Sequence, residues 1–128
     1  MRQKRLSTFL ISKRAVGLYY EQNARAYLEN QGLVFIEAGF FCRVGEIDLV
    51  MREGNELVFV EVRMRNSGVN FQSPLESVGY RKLLKLRRAI EFYLLKKETL
   101  IQNLSPSCIR LDILGYDGTE WTWVKNQG

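Results

Sequence analysis

The acidic residues Asp48 and Glu61 are the two side chains of this sequence best placed for chemistry. Each lies in a run rich in Val, Ile, Leu and Phe, and the two runs flank Gly54-Asn55. A Gly-Asn pair between two such runs predicts a β-hairpin with a two-residue loop, with glycine first as a type II′ turn requires. The sequence therefore predicts two carboxylates on neighbouring strands.

Counting back from this loop places Asp48 directly opposite Glu61, and Glu46 opposite Arg63. Because strand side chains alternate between faces, these residues share one face of the hairpin with Val50. The opposite face is predicted to carry Ile47, Leu49 and Met51 against Val58, Val60 and Val62. Apolar residues on both faces indicate a central hairpin that is covered on both sides.

Two opposed carboxylates in an apolar setting are unfavourable unless something compensates their charge. Directly opposed strand residues have Cβ atoms about 4.5–5.5 Å apart, and like charges at that distance destabilise the sheet. A buried, unpaired carboxylate costs still more. The pattern therefore indicates a bound cation or a shared proton at Asp48 and Glu61. Two simpler interpretations stay open: a solvated acid pair at the strand ends, and a plain salt bridge between Glu46 and Arg63.

The amino-acid composition limits the chemistry that this chain can perform. The 128 residues include no histidine, which excludes a Ser-His-Asp or Cys-His nucleophile, a His-ligated zinc site and a histidine base. Cys42 and Cys108 lack metal-ligand spacing, and we expect both to be buried thiols. Any catalysis must then use carboxylates, Lys, Arg, Tyr or a bound metal.

The net charge of +5 resides at the start of the chain. Residues 1–14 hold five basic residues and no acid, whereas the remaining 14 basic and 14 acidic residues balance. We predict a basic N-terminal arm at 1–12 and a single domain at 13–128. Such an arm suits a phosphate backbone, although an acid-free start is also common without that function. No apolar run approaches the about 20 residues of a membrane span, and we expect a cytoplasmic protein.

Two amphipathic helices are predicted on either side of the hairpin in the sequence. The first spans about residues 13–31, where apolar residues recur every three or four positions, and it ends at Gly32. This helix carries Glu21, for which a solvent-facing pair with Arg25 is the simplest interpretation. The second begins at Ser73-Pro74-x-Glu76, a capping box with proline at the first helical position, and runs to about residue 100.

One face of the second helix is rich in basic residues that suit contact with a phosphate backbone. These residues are Arg81, Lys82, Lys85 and Arg88. An ordinary solvated helix face explains the same pattern equally well. After this helix, residues 109–115 and 120–124 predict a second hairpin around Asp117-Gly118. The element order α-β-β-β-α-β-β predicts an α/β fold with a mixed central sheet flanked by helices.

Five blocks of the sequence, together with the basic helix, carry a resemblance to a known family. In chain order they are Gly17-x-x-x-Glu21, Gly45-Glu46-Ile47-Asp48-Leu49-Val50, Phe59-Val60-Glu61-Val62-Arg63-x-Arg65, Ser73-Pro74-Leu75-Glu76-Ser77-Val78 and Arg110-Leu111-Asp112-Ile113. They resemble the YraN family, bacterial proteins predicted to be nucleases with a restriction-endonuclease-like, Holliday-junction-resolvase-related fold. The resemblance covers roughly residues 13–115.

The superfamily motif is an Asp followed by Glu-x-Lys on the next strand. The resemblance implies that Asp48 and Glu61 bind Mg²⁺ or Mn²⁺, with Glu21 as a further catalytic carboxylate. It also implies that Arg63 acts at the position of the motif lysine. Because arginine supplies charge but cannot act as a base, Lys82 or Lys85 is a candidate substitute for that lysine.

The implied activity is metal-dependent hydrolysis of phosphodiester bonds in structured DNA, as in junction resolvases. The implied contacts with nucleic acid come from the basic arm and from Arg65, Arg81, Lys82, Lys85 and Arg88. The alternative is a module of the same fold that binds nucleic acid without cleaving it, in which Arg63 pairs with Glu46 and Glu61. By analogy with resolvases, which act on symmetric junctions, we expect a homodimer.

Overall fold

The chain folds into one five-stranded sheet with helices on both of its faces. The computed structural model describes residues 13–64 and 74–126, so the basic arm, Arg65 and Ser73 lie outside the described residues. In chain order the elements are α1 (Lys13–Asn30), β1 (Val34–Cys42), β2 (Gly45–Glu53), β3 (Glu56–Met64), α2 (Pro74–Ser77), α3 (Tyr80–Lys96), α4 (Glu98–Leu104), β4 (Cys108–Tyr116) and β5 (Trp121–Val124).

The strands lie in the order in which they occur along the chain. β1 with β2, β2 with β3 and β4 with β5 are antiparallel, whereas β3 and β4 are parallel. The parallel pair is joined by the helical segment between them, as a parallel connection requires. This arrangement confirms the predicted α/β class with a mixed sheet, consistent with a restriction-endonuclease-like fold.

Two apolar clusters hold the layers together. The α3 core lies between α3 and one face of the sheet, and its members include Val50, Phe59, Leu86, Ala89 and Tyr93. The α1 core lies between α1 and the other face, and it combines Ala24 and Leu28 with Leu33, Leu49, Met51, Val58, Val60 and Leu114. The hairpin of β2 and β3 contributes to both clusters, so the prediction of a hairpin covered on both sides is confirmed.

The predicted register of this hairpin is confirmed from its loop inwards. Glu53 pairs with Glu56 at the loop, and the pairing continues without a shift as far as Leu49 with Val60. Gly54 has a φ of +57°, a conformation that glycine adopts without strain. Loop chemistry and alternation therefore determine this part of the sheet.

The face predicted for Ile47 is wrong, because the alternation changes at Asp48. Ile47 belongs to the α3 core, whereas Leu49, two residues later, belongs to the α1 core. On β1, Phe40 pairs with Ile47 and Ala38 pairs with Leu49. Gly39 lies between these two pairs and has a φ of +66°, which permits a sharp local twist. The twist turns both strands together, and Asp48 lies at the turning point.

The structure confirms the first predicted helix and corrects the second. The first ends at Asn30, and Gly32 follows with a φ of +100°, so the predicted glycine stop is confirmed. The second is not one continuous helix, because α2 ends at Ser77 and α3 begins at Tyr80 after the extended residue Gly79. At this break the Ser77 carbonyl accepts a hydrogen bond from Arg63 on β3.

The second hairpin is confirmed, with β4 and β5 joined by the turn around Asp117-Gly118. The prediction of two buried thiols is wrong, because Cys42 is only partly buried and Cys108 is exposed. Cys108 lies at the start of β4 and donates to Glu56 Oε2 over 2.8 Å. Within 13–64 and 74–126, no helix is both long and apolar enough to cross a membrane.

Candidate metal and nucleic-acid site

Three carboxylates converge at the turning point of β2. Oxygen atoms of Glu21, Glu46 and Asp48 all lie within 4.8 Å of one another. Glu21 comes from α1, and the other two come from alternate positions of β2. A group of this kind offers hard oxygen ligands, which Mg²⁺ and Mn²⁺ prefer.

The α1 helix directs Glu21 towards the sheet. Glu21 lies one turn before Ala24 and two turns before Leu28, the two helix residues of the α1 core, so it shares their face. The predicted alternative, a pair with Arg25, is not formed. Arg25 instead pairs with Glu29 over 3.3 Å and stacks on the ring of Phe35.

A cleft opens beside these carboxylates. It has a volume of about 640 Å³ and is lined by Gly17, Leu18, Glu21, Ala38, Gly39, Phe41 and Glu46. Gly17 lies one turn before Glu21 on α1 and has no side chain to occupy the cleft. The first and second predicted motifs therefore meet at one cleft, although they are far apart in the sequence.

Glu61 lies on the other side of Asp48. Its side chain is buried, with 3% of the residue exposed, so the interpretation as a solvated acid pair is wrong. Asp48 Oδ2 accepts a hydrogen bond of 2.8 Å from the backbone amide of Val62, the neighbour of Glu61 on β3. Asp48 therefore links the acids of the α1 side to Glu61 on the α3 side.

The surroundings of Asp48 and Glu21 favour their protonated forms. Burial, followed by the charge of Glu61, raises the pKa of Asp48 to about 8, although the Val62 amide and Lys82 oppose the shift. Burial, followed by the charges of Asp48 and Glu46, raises the pKa of Glu21 to about 7. In addition, Glu21 Oε1 is buried and has no hydrogen-bond partner within the described part of the chain. An orphaned acceptor among crowded carboxylates fits a cation site, because a bound cation would satisfy the oxygen and lower both pKa values.

Two basic side chains contact Glu61 at the same oxygen. Arg63 Nη1 lies 3.5 Å from Glu61 Oε2, and Lys82 Nζ lies 3.6 Å from it. Arg63 also donates to the carbonyl of Ser77 over 2.9 Å and to its hydroxyl over 3.3 Å. Arg63 therefore joins β3 to the break between α2 and α3, whereas Lys82 reaches Glu61 from the first turn of α3.

The remaining basic residues predicted to contact nucleic acid lie on the outer side of α3. Arg81, Lys85 and Arg88 are exposed. A smaller cleft of about 170 Å³ connects this helix to the acids, because Glu46, Lys82 and Lys85 line it together. Positive and negative side chains are thus adjacent at the end of the sheet where Asp48 lies.

Glu46 was not predicted to belong to the metal group, because the hairpin count placed it opposite Arg63 and a salt bridge between the two stayed an open interpretation. The signal was present in Gly45-Glu46-Ile47-Asp48, in which two acids alternate on one strand. The sequence pattern does not predict the twist at Asp48 or the packing of α1 on the sheet. These two features bring Glu21 against Glu46 and Asp48.

Comparison with known proteins places the chain in a family. The family described as "Uncharacterised protein family UPF0102" matches residues 20–115. The chain belongs to the UPF0102 family. This confirms the resemblance that the sequence motifs carry, and the matched range contains Glu21, Asp48, Glu61 and Arg63.

Curated UPF0102 proteins match most of the chain. One from Legionella pneumophila is 45% identical over 112 residues, 86% of this chain and 91% of its own length. One from Janthinobacterium is 41% identical over 125 residues, 95% of this chain and 96% of its own. One from Aliivibrio fischeri is 40% identical over 117 residues, 90% of this chain and 92% of its own. Their names state the family and no activity.

The raised pKa of Glu21 predicts a pH-dependent effect of Glu21→Gln in this UPF0102 protein. The carboxyl has a pKa of about 7 in the folded state, against 4.5 for an ordinary glutamate, so the folded state binds more protons between these pH values. Wild-type stability from this group is therefore complete below about pH 4.5 and is lost as the pH rises through 7. Without metal, we expect the stability of the variant to rise relative to that of wild type as the pH increases through this window.

Urea unfolding at pH 4.5, 6 and 8 in the presence of a chelator measures this difference. Glu29→Gln, at an exposed acid on the same helix, is the matched control and should give parallel curves. A constant difference between Glu21→Gln and wild type across the three pH values would contradict the prediction.

Proposed function

We propose that this protein is a metal-dependent nuclease that hydrolyses phosphodiester bonds in structured DNA. The observation that carries the proposal is the position of Asp48, a partly buried acid between Glu61 on one side and Glu21 and Glu46 on the other. Such crowding of carboxylates is unfavourable in an apolar protein without a cation. The cost is consistent with a site kept for function.

Asp48 and Glu61 would hold Mg²⁺ or Mn²⁺, and Glu21 and Glu46 would ligate the same ion, a bridging water or a second ion. Mg²⁺ takes one or two carboxylates and retains waters and substrate phosphate as its other ligands. When bound, the ion supplies Lewis acidity that polarises the phosphate and lowers the pKa of an attacking water. The chain itself supplies the anionic cradle and the water-excluding apolar strands around it.

The proposed reaction joins a water oxygen to phosphorus while the bond from phosphorus to the departing sugar oxygen breaks. The water loses a proton and the departing oxygen gains one, so one end keeps a phosphate monoester and the other a hydroxyl. Negative charge on the phosphate oxygens needs a facing cation. Arg63 and Lys82, both at Glu61 Oε2, are the basic residues available there.

Arg81, Lys85 and Arg88 would hold the phosphate backbone beyond the cleaved bond. They lie on one exposed side of α3, next to the cleft that Glu46 and Lys82 share. Arg65 and the basic arm extend the same proposed contact, and both lie outside the described residues. Because these contacts are electrostatic, we expect DNA affinity to fall steeply with salt concentration. The homodimer expected from the resolvase analogy stays a prediction that sedimentation would check.

Calorimetric titration with Mn²⁺, followed by a cleavage assay, tests the proposal. We expect saturable Mn²⁺ binding, and cleavage of a synthetic four-way DNA junction that requires Mg²⁺ or Mn²⁺ and stops with a chelator. A linear duplex of the same sequence serves as the substrate control and should be cleaved more slowly. A protein that binds no Mn²⁺ at neutral or alkaline pH would refute the proposal.

The contacts of Arg63 favour a second candidate function. Its guanidinium is bound to Ser77 and Glu61, which suits a structural role in a module that binds nucleic acid without cleaving it. This candidate predicts junction binding at low salt, no cleavage with any divalent metal, and no gain of cleavage in Arg63→Lys. Cleavage by the wild-type protein would exclude it.

A further inference from the structure

Lys82, on α3, combines contact with the acid cluster and exposure to solvent. Its Nζ lies 3.6 Å from Oε2 of the buried Glu61, and its side chain is still 43% exposed. Lys82 also lines the small cleft that contains Gly45 and Glu46. The ammonium group is therefore held at the acid cluster and is open to a ligand that enters from solvent.

Arg63, which follows Glu61 by two residues on β3, also contacts Glu61 Oε2 over 3.5 Å, but its other donors are bound to Ser77. Its Nη2 donates to the Ser77 carbonyl over 2.9 Å and its Nε donates to the Ser77 hydroxyl over 3.3 Å. The helix break before Gly79 leaves this carbonyl available, since α2 ends at Ser77. A guanidinium with donors in use at a helix corner has little freedom to follow a substrate, because its planar group has a fixed geometry.

We propose that Lys82, at 3.6 Å from Glu61, is the catalytic cation that contacts the scissile phosphate, and that Arg63 is a positioning residue that holds Glu61 and the α2–α3 corner. This assignment rests on the proposed nuclease function. A lysine suits the role because its ammonium is compact, sits on a flexible stem and carries three donors. In this role the Lys82 ammonium donates hydrogen bonds to the non-bridging phosphate oxygens as their charge grows.

A lysine on α3 could serve in either of two roles, and the sequence does not distinguish them. A lysine that only binds backbone affects affinity, whereas a lysine at the reacting phosphate affects the rate after binding. Lys82 contacts the acid that neighbours Asp48 in space, and Lys85 has no ion pair with an acid among the contacts of the described residues. Of the two candidates from the sequence, the geometry thus favours Lys82.

Single-turnover cleavage of a synthetic four-way junction, with Mn²⁺ and saturating protein, tests this inference in the full chain. We expect Lys82→Gln to lower the rate by about 10²–10³-fold, and Lys82→Arg to recover part of it because the charge is kept. The junction dissociation constant, measured with a chelator, should change by less than about 3-fold, since one phosphate contact among many is lost. Thermal melting of each variant verifies that it is folded.

Lys97→Gln is the matched control. Lys97 has an ion pair of similar length, 3.5 Å to Glu37, and a side chain that is 34% exposed, but its partner is outside the acid cluster. We expect this variant to cleave at the wild-type rate. The comparison shows whether loss of an exposed ion pair is by itself sufficient to slow cleavage.

The outcomes distinguish this inference from the proposed function. A wild-type protein that does not cleave with metal refutes the proposed function, and the assignment of Lys82 with it. A wild-type protein that cleaves, together with a Lys82→Gln variant that cleaves within about 3-fold of it or loses rate only through affinity, overturns the assignment alone. A large gain of cleavage in Arg63→Lys would also overturn it, since the lysine would then be needed on β3.

Discussion

Asp48→Asn is expected to abolish metal-dependent cleavage and to weaken Mn²⁺ binding below detection by calorimetry. Asp48 is the acid between the two sides of the site, with Glu21 and Glu46 on the α1 side and Glu61 on the α3 side. The asparagine keeps the shape and an oxygen that accepts from the Val62 amide, which the carboxylate binds over 2.8 Å. The change therefore removes charge and little else.

The loss of rate should reach at least about 10²-fold, the effect of removing one group that stabilises charge in a transition state. Stability should move in the opposite direction. Because the pKa of Asp48 is raised to about 8 from the ordinary aspartate value of 3.8, wild-type stability from this group declines as the pH rises between these values. An asparagine does not titrate, so the metal-free variant should become more stable than wild type across that window.

Cleavage, Mn²⁺ titration and urea unfolding of the same preparation measure these three effects. Glu29→Gln, which alters an exposed acid outside the site, is the control and should leave all three unchanged. If Asp48→Asn bound Mn²⁺ as wild type does, the metal would have to lie elsewhere and the proposed site would be wrong. Loss of stability in the variant would instead mean that the Val62 hydrogen bond outweighs the repulsion.

Asp112→Ala is expected to reduce the free energy of unfolding by about 3–5 kcal/mol, the typical cost of breaking a buried ion pair from one side. The Asp112 side chain is completely buried. Its Oδ1 accepts from Arg110 Nε over 3.2 Å and from the Asn126 amide over 2.9 Å. Its Oδ2 accepts from Arg110 Nη2 over 2.7 Å and from Trp123 Nε1 over 2.9 Å.

Arg110 is buried as well, and it extends the network to the loop of the β2–β3 hairpin. Its Nη1 contacts Glu53 over 2.6 Å and Glu56 over 2.7 Å. These contacts connect β4 to the hairpin, while Trp123 and Asn126 connect β5 and its end to β4. The alanine leaves several donors without acceptors in a dry interior, which costs more than the loss of the hydrogen bonds alone.

Equilibrium unfolding in urea measures the loss. Asp112→Asn is the informative control, because it retains the volume and one acceptor, and we expect a cost of about 1–3 kcal/mol. Mn²⁺ affinity of the folded alanine variant should stay within about 3-fold of wild type, since Asp112 is absent from the acid cluster. A cost below about 1 kcal/mol would show that water or a rearranged Arg110 replaces the carboxylate.

The motif Arg110-Leu111-Asp112-Ile113 therefore has a different explanation from the other blocks that indicate the family. Its two charged residues pair with each other within the α/β core and join β4 to β2, β3 and β5. The blocks that contain Glu21 and Asp48 place like charges together, and Glu21 Oε1 has no hydrogen-bond partner among the described residues. The contrast between the fully paired Asp112 and the unpartnered oxygen of Glu21 separates a structural acid of this chain from a candidate functional one.

The sequence by itself determined the hairpin of β2 and β3, its register near the loop, the end of α1 and the second hairpin. These features depend on local chemistry: Gly54-Asn55 sets a two-residue turn, Gly32 stops a helix, and side chains alternate along a strand. The family and the mixed sheet follow from the order of the motifs. The spacing also predicted that Asp48 lies near Glu61, and the charge of Glu61 acts on Asp48, although the observed pairing of β2 with β3 ends at Leu49 and Val60.

Tertiary structure alone decided how the site is completed. The twist at Gly39 and Asp48 turns Ile47 to the opposite face and brings Glu46 against Glu21, and neither follows from alternation. The break at Gly79 exposes the Ser77 carbonyl that binds Arg63, and it lets Lys82 reach Glu61. These contacts join residues that are distant in the sequence and depend on how α1 and α3 pack on the sheet, whereas local patterns determine only the elements themselves.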